Sequence, residues 1–448
     1  MSKFIRWVCL IGLFVVTVVA ILWVFVRVRG PNAAQRQALA TMTRPPLAVQ
    51  HNAFPALWLM PYDIPDSEMA AVFEQDRKAI VQALARGDAI PVSKAEGRYA
   101  RAMMNDAGDT ICRDAATCLA DVQADPAAAA AFVDRHAALI RRVEALAAYD
   151  GIRSEFGYRF YSPLPPYQLT RVPAAAYALA FVQGRRTEAF DGTCRAITTW
   201  RRLGSRSDHL VGRLLGSAFV SKRYGMLFMQ MLARVPRDEA LPASCDTAFA
   251  GTMPEENTLC PAFRGEFEWM RDALLNAPND PTLSTRTHTP RWLMPVLYSA
   301  SLSEGDGAMM YAPTCSADAD HRIAADEISP AGREVPSLAR VECVGNIAGC
   351  LIDQIAAPEY ETWFTRVQDS NASLRLIAEI LAYRAEVAPK DSLRERLDAL
   401  HARIGSQQRT IDIDLAGKRV RMSSLLRKPG DAWEAPLPPS LLGEPQPQ

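Results

Sequence analysis

Residues Trp7 to Val26 read WVCLIGLFVVTVVAILWVFV, twenty positions without a charge. At 1.5 Å of rise per residue, a helix of this length spans about 30 Å, the thickness of a bilayer's hydrocarbon core. Trp7 and Trp23 stand near its ends, where indole rings favour the headgroup layer, and Lys3, Arg6, Arg27 and Arg29 flank it. A cleavable signal peptide has a shorter apolar stretch and a small-residue cleavage site. Here the run passes directly into Arg27-Val-Arg-Gly-Pro31, so the sequence predicts an uncleaved signal anchor. A buried core helix would keep a polar face somewhere; this segment has none.

Outward from the anchor, the chain has the means to bury a large core. Its 448 residues allow one large or two modest domains, and 49% hydrophobic with 22% charged residues excludes wholesale disorder. Net charge is zero but unevenly placed: Lys3, Arg6, Arg27, Arg29, Arg36 and Arg44 precede the first acid, Asp63. The remainder holds 50 acids against 44 bases, a net of −6, which offers no footprint for nucleic acid. Arg27, Arg29, Arg36 and Arg44 are placed to meet anionic lipid headgroups. Only seven of the 50 basic residues are lysine, and alanine is abundant, a pairing that looks like coding bias in a GC-rich bacterial genome.

Orientation divides two signals. Two basic residues precede the apolar run and four follow it, which alone favours a cytoplasmic C-terminus. Besides Cys9, however, there are eight cysteines: Cys112, Cys118, Cys194, Cys245, Cys260, Cys315, Cys343 and Cys350. An even set with close pairs fits an oxidising compartment, and long domains translocate despite flanking charge. The cysteines carry more weight, so the domain is expected on the periplasmic side of an inner membrane. Cys112/Cys118 and Cys343/Cys350 are spaced too widely for zinc knuckles and have no nearby histidine pair. They read as local bridges. Cys245–Cys260 and Cys194–Cys315 complete the expected set, one connectivity of about 105.

The rest reads as mostly α. A stem with a possible helical turn is expected at 31–51 and an extended, proline-punctuated stretch at 52–65. A helix follows from Asp66 or Ser67 to Gly87, then a short one at 93–105. Asp125 to Asp150 reads as one helix capped by Asp125, with Pro126 in its first turn and Gly151 beyond its end. Phe156 to Tyr167, FGYRFYSPLPPY, reads as a buried crossover rather than a polyproline ligand. Pro173–Gln183 and Thr187–Leu203 form a hairpin turning at Gly184, similar to one tetratricopeptide unit with Ala189 and Ala196 at small positions. Further helices are expected at 209–235, 254–276, 344–356, 358–386 and 392–404, with a long excursion at 277–340. Ile411, Ile413 and Leu415 facing Val420 and Met422 predict a small β-hairpin. From Pro429 the tail reads as proline-rich and loose. The expected organisation is therefore anchor 1–30, stem 31–65, helical disulfide-containing domain 66–428 and tail 429–448.

No recognised catalytic motif is present. The six histidines (His51, His136, His209, His288, His321, His401) are scattered, without HExxH, and no G-x-S-x-G, Walker loop or dinucleotide-binding glycine pattern occurs. Asp318, Asp320 and His321 form the best polar cluster, with carboxylates and an imidazole that suit a divalent cation. Such an Asp-x-Asp enzyme needs an α/β sheet, and a solvated acidic loop is the plainer reading. Glu266, Glu268 and Asp272 gather carboxylates on one helix beside Arg264 and Arg271, which suits a charged surface better than acid–base chemistry. Asn371-Ala-Ser373 fits a glycosylation acceptor pattern.

The hairpin around Gly184 to Trp200, the opening Phe263-Arg-Gly-Glu266, and Pro358-Glu-Tyr360 leading a long helix resemble a loose group of Ala- and Arg-rich, single-pass helical envelope proteins of Gram-negative bacteria. The resemblance covers about half the chain. It implies an envelope location and helical architecture, and transfers no activity, cofactor or site residue. The expectation is a protein-interaction or scaffold module, held to the bilayer by its anchor, that docks a protein partner without catalysis. The alternative is a periplasmic metal-dependent hydrolase or transferase using Asp318, Asp320 and His321.

Overall fold

In the computed structural model the apolar run lies inside a longer helix, α1 (Ser2–Arg29), long and apolar enough to cross a membrane, with none of its most apolar window buried against the rest of the chain. The structure describes residues 2–45, 47–102, 111–159, 161–277, 290–328, 337–356, 360–386, 391–404, 409–414, 416–425 and 432–442.

Gly30, at φ +64°, ends α1 in a left-handed turn that a side chain would strain. The chain then enters α2 (Ala33–Met42) through a reciprocal cap: Gln35 N donates to Asn32 Oδ1 at 2.9 Å and Asn32 N to Gln35 Oε1 at 2.7 Å. The expected stem is thus part of the domain. Ala38 and Met42 are buried with Phe263, Phe267, Tyr311 and Phe364 in a secondary core. The stretch read as extended holds a short helix, α3 (Phe54–Trp58), whose Phe54 and Leu57 enter the main core. α4 (Asp66–Arg86) starts at the expected residue and ends at Gly87, φ +72°. The helix expected at 93–105 is absent among the described residues there, which form turns tied by Asp76 to Ser93 and Lys94.

α5 (Cys118–Ala124) precedes the segment read as one long helix, which is broken in two. α6 (Pro126–Arg135) begins as expected, with Asp125 Oδ1 accepting from Ala128 N, but stops at His136. α7 (Ala137–Glu144) then resumes and runs into a 3₁₀ turn. His136 is buried at 3% exposure with its ring against Phe132, so packing overrides a pattern that propensity alone would continue. The aromatic crossover is buried at Phe156, wedged among Phe54, Trp58 and Phe73, while Tyr161 stays exposed.

The hairpin forms as α8 (Pro173–Val182) and α9 (Arg186–Ser205), turning at Gly184 with φ +81°. α10 (Leu210–Ala218) and α11 (Gly225–Leu232) are the expected next helix, interrupted by a π-helical turn, Phe219–Tyr224. α10 crosses α9 at Gly204 and Gly216, where a Cβ on Gly216 would stand 2.6 Å from Gly204 Cα. The π turn presents a carbonyl sideways, Ser221 O accepting from Trp433 Nε1, and just before it on α10 Ser217 O accepts from Ser370 Oγ.

The remaining helices are α12 (Ala243–Ala248), α13 (Cys260–Asn276), α14 (Met294–Leu297), α15 (Ala300–Tyr311), α16 (Ala317–Ala325), α17 (Glu342–Gly345), α18 (Ile347–Ala356), α19 (Tyr360–Ala385) and α20 (Leu393–Ile404). Described parts of the expected excursion are therefore helical. β1 (Ile411–Asp414) pairs antiparallel with β2 (Arg419–Ser423) as the expected hairpin, Ile411 opposite Met422 and Ile413 opposite Val420, while Leu415 lies outside the described residues. The tail is not loose throughout: β3 (Ala432–Pro436) pairs antiparallel with β2, and Trp433, Leu437 and Leu441 are buried.

Cys112–Cys118 and Cys343–Cys350 are bridged as expected. The other two bridges are Cys194–Cys245 and Cys260–Cys315, correcting Cys245–Cys260 and Cys194–Cys315. Cys245 faces α9, whereas Cys260 at the start of α13 faces the segment before α16. Sequence proximity is a weak guide because loop-closure entropy grows only with the logarithm of length, about 0.6 kcal/mol per doubling.

Two outcomes follow from this packing. A thiol reagent applied under denaturing, non-reducing conditions should modify one cysteine per chain, Cys9, and nine after reduction, counted by intact mass. Gly216→Ala should lower stability by about 1–3 kcal/mol, since backbone rather than a movable side chain meets the new methyl; thermal unfolding in detergent reads this.

Candidate functional site

A cavity of about 890 Å³ opens between the loop after α11, helix α12, the C-terminal end of α19 and Ser440. Two arginines build it. Arg237 donates through Nε to Arg384 O and through Nη2 to Tyr383 O and Glu386 O, at 2.6–3.2 Å, collecting carbonyls at the end of α19. Arg384 answers from the other side, its Nη2 donating to Pro236 O and Glu239 O at 2.7 Å each. The two walls are clasped reciprocally, so these guanidiniums shape the groove by binding the backbone on its opposite sides.

Between the clasps lie apolar side chains: Leu241, Phe249, Ala378, Leu381 and Ala382. Around them stand acids. Asp238 and Asp246 are exposed on the rim, Glu239 pairs with Arg186, and Glu386 pairs with Arg396. Cys245 anchors the α12 wall to α9 through its bridge to Cys194. The groove is thus an apolar floor with an acidic rim, of a size at which small ligands and anchoring side chains bind, roughly 300–1,000 Å³. No local pattern signals it, because its walls come from positions 146 and 147 residues apart that no periodicity links.

The residues singled out from sequence behave differently. Asp318 pairs with Arg322 at 2.7 Å and is exposed, and His321 is exposed as well. Asp320 is half-buried, its carboxyl raised by burial. A helix turns about 200° between positions two apart, so Asp318 and Asp320 on α16 diverge. No group of three His, Cys, Asp or Glu side chains among the described residues is arranged to hold a metal. The carboxylates of α13 also disperse: Glu266 is largely buried and accepts from Leu210 N, Glu268 pairs with Arg271, and Asp272 with Arg159. Asn371 is buried and donates to Glu256 O and Asn257 Oδ1, so it offers no acceptor surface for a glycan.

Of the histidines, His209 is the one with a defined task. It is buried, its Nδ1 accepts from Gly212 N at 3.0 Å, and its Nε2 lies 3.0 Å from the Tyr167 hydroxyl. It caps α10 as the neutral ring, and burial holds it down to about 4. His51 and His321 are exposed, while the side chains of His288 and His401 lie outside the described residues.

Two buried carboxyls lie close to the end of α1. Asp306 is fully buried; its Oδ1 accepts from Gln35 Nε2 at 2.9 Å and Arg340 Nη1 at 2.8 Å. Asp353, 2% exposed on α18, is pushed up to about 7 by burial first and then by the charge of Asp306.

Comparison with protein-family models, with curated proteins and with solved structures finds no match to this chain.

Asp353 predicts a pH effect whose sign is fixed. Its folded value lies above the ordinary 3.8, so its contribution is fully present below about pH 4 and is lost as pH rises toward about 7. Asp353→Asn should therefore match the parent's melting temperature near pH 4.5 and exceed it at pH 8. Equal pH dependence in both proteins would contradict this.

Proposed function

We propose that this chain is a single-pass membrane protein whose helical domain stands in an oxidising compartment, the periplasm in a Gram-negative cell, and docks a partner protein without catalysis. Support for place comes from α1, long and apolar enough to cross a bilayer, and from four bridged cysteine pairs, which fit an oxidising compartment. The observation that carries the docking role is the groove between the α11–α12 loop and α19.

Its chemistry favours one kind of guest. An apolar floor takes the apolar stripe of an amphipathic helix, as in other helix-in-groove complexes. Asp238 and Asp246, exposed on the rim, favour basic residues flanking that stripe and disfavour acidic ones.

A photo-crosslinking residue at Ala382, on the groove, should capture one discrete neighbour in membranes, with the crosslinked peptide carrying basic residues. The same probe at Val92, exposed well away from the groove, should not. Asp238→Arg with Asp246→Arg should abolish the adduct while leaving the melting temperature unchanged. Adducts of equal yield from both positions, or an adduct indifferent to charge reversal, would overturn the docking role.

A further inference from the structure

The segments that receive the end of α1 are themselves apolar on the outside. Val296 O on α14 accepts from Trp23 Nε1 at 2.9 Å and from Arg27 Nη2 at 3.0 Å. Gly345 on α17 packs directly on Val26 and accepts from Arg27 Nε at 2.6 Å. Around these contacts, large apolar side chains face outward: Trp292 at 75% exposure, Val296 at 45%, Leu338 at 50%, Val341 at 44%, Ile347 at 50% and Leu351 at 48%. Ile347 and Leu351 are four apart and share a face of α18, while Cys350 and Asp353 turn inward. A helix that closes over buried groups on one side and shows aliphatics on the other is built to lie between two media.

Height along α1 decides which second medium. Trp23 precedes Arg27, the first charge after the apolar run, by four residues, about 6 Å of helix. Val296 is within hydrogen-bond reach of Trp23, so α14 stands level with the last turn of the uncharged run. Side chains at that level beside a membrane span meet the boundary between headgroups and acyl chains. The nearby charges are compatible with it: Arg29 is exposed, Arg340 is paired with Asp306, and Glu342 accepts from Asn32 Nδ2. Trp292 supplies the indole that this layer favours.

We infer that α14, α17 and α18 form an apolar collar around the exit of α1, seated in the headgroup layer of a phospholipid bilayer. The collar rests on the reading of α1 as a membrane span. It fixes how the domain sits, with α14 and α18 against the lipid rather than held above it on a stem. Binding of this kind scales with buried apolar area, as for interfacial helices.

The test uses the full chain with Cys9→Ser, reconstituted alone into phosphatidylcholine–phosphatidylglycerol vesicles. Single cysteines are introduced as Ile347→Cys, Leu351→Cys, Val16→Cys in the span and Val92→Cys away from the collar, all exposed positions. Each is labelled without reductant with an environment-sensitive nitrobenzoxadiazole dye, and quenching by lipids brominated near the top of the acyl chains is measured. Lipids brominated deep in the chains are used for position 16; loss of emission at 347 and 351 with the shallow quencher and at 16 with the deep one, with none at 92, is the expected result. Quenching at 16 but not at 347 or 351 overturns the collar and leaves the span intact. No quenching at 16 removes the span and the collar together. Disulfide-linked dimers through Leu351→Cys, without quenching, assign the face to a second copy and overturn the lipid assignment.

Discussion

The guanidinium of Arg27 joins the two parts of this molecule. It follows twenty uncharged positions, and its donors end on three domain carbonyls, Gly345 O at 2.6 Å, Tyr298 O at 2.7 Å and Val296 O at 3.0 Å. A charge in that place needs partners, because leaving its donors unmet in a poorly hydrated layer is costly. The acceptors come from α14, the turn after it and α17, which fixes those elements against α1. Close approach is possible because residue 345 is glycine; a Cβ there would stand 2.7 Å from Val26 Cγ1. The C-terminal end of the apolar helix is therefore fixed against the domain, with no slack stem between them.

The same device recurs through the fold and gives arginine, rather than lysine, a structural task at several positions. Arg201 is buried and pairs both carboxylate oxygens of Glu256 at 2.7 Å, while its remaining donors reach Ala248 O, Ala250 O and Gly251 O. Arg223 holds Cys112 O and Arg113 O, and Arg409 joins Asp326, Asp369 and Ser423 O. Short helices joined by irregular loops leave many carbonyls without helical partners. A planar fork with five donors satisfies several at once, whereas an ammonium presents a single compact charge.

How much of this was legible follows from the range of each interaction. Local rules placed α1, the cap of α6 at Asp125, the hairpin turn at Gly184 and the β1–β2 hairpin, because each is set by neighbours within a few residues. Long-range packing set what local rules missed. His136 breaks a helix its own sequence would continue, and Trp433 pulls the tail into the sheet by donating to a carbonyl released by the π turn. Cys245 bonds to the helix it faces rather than the cysteine nearest in sequence. At Asp318, Asp320 and His321 the described residues show no arrangement that holds a metal, since Asp318 and Asp320, two apart on a helix, point away from each other. The groove was invisible because its clasp, Arg237 with Arg384, unites a loop and a helix end that no pattern connects.

The seat of α1 is itself held by a short chain of contacts, and the local Cys343–Cys350 bridge makes sense within it. Asn32 reaches Glu342 on α17, and Gln35 caps α2 while donating to Asp306. Arg340 binds the same Asp306 oxygen, and Cys343 and Cys350 tie α17 to α18 on either side of Asn346, which in turn bonds Ser299 N and Ser303 Oγ. α17 is one turn long and would not persist alone, since the first turn of a helix fixes many dihedrals for little return. The bridge supplies the restraint that length cannot, by limiting the conformations open to the unfolded segment. A reduced chain would therefore be expected to loosen first where α1 enters the domain, ahead of the main core, whose Cys194–Cys245 bridge is backed by extensive apolar burial.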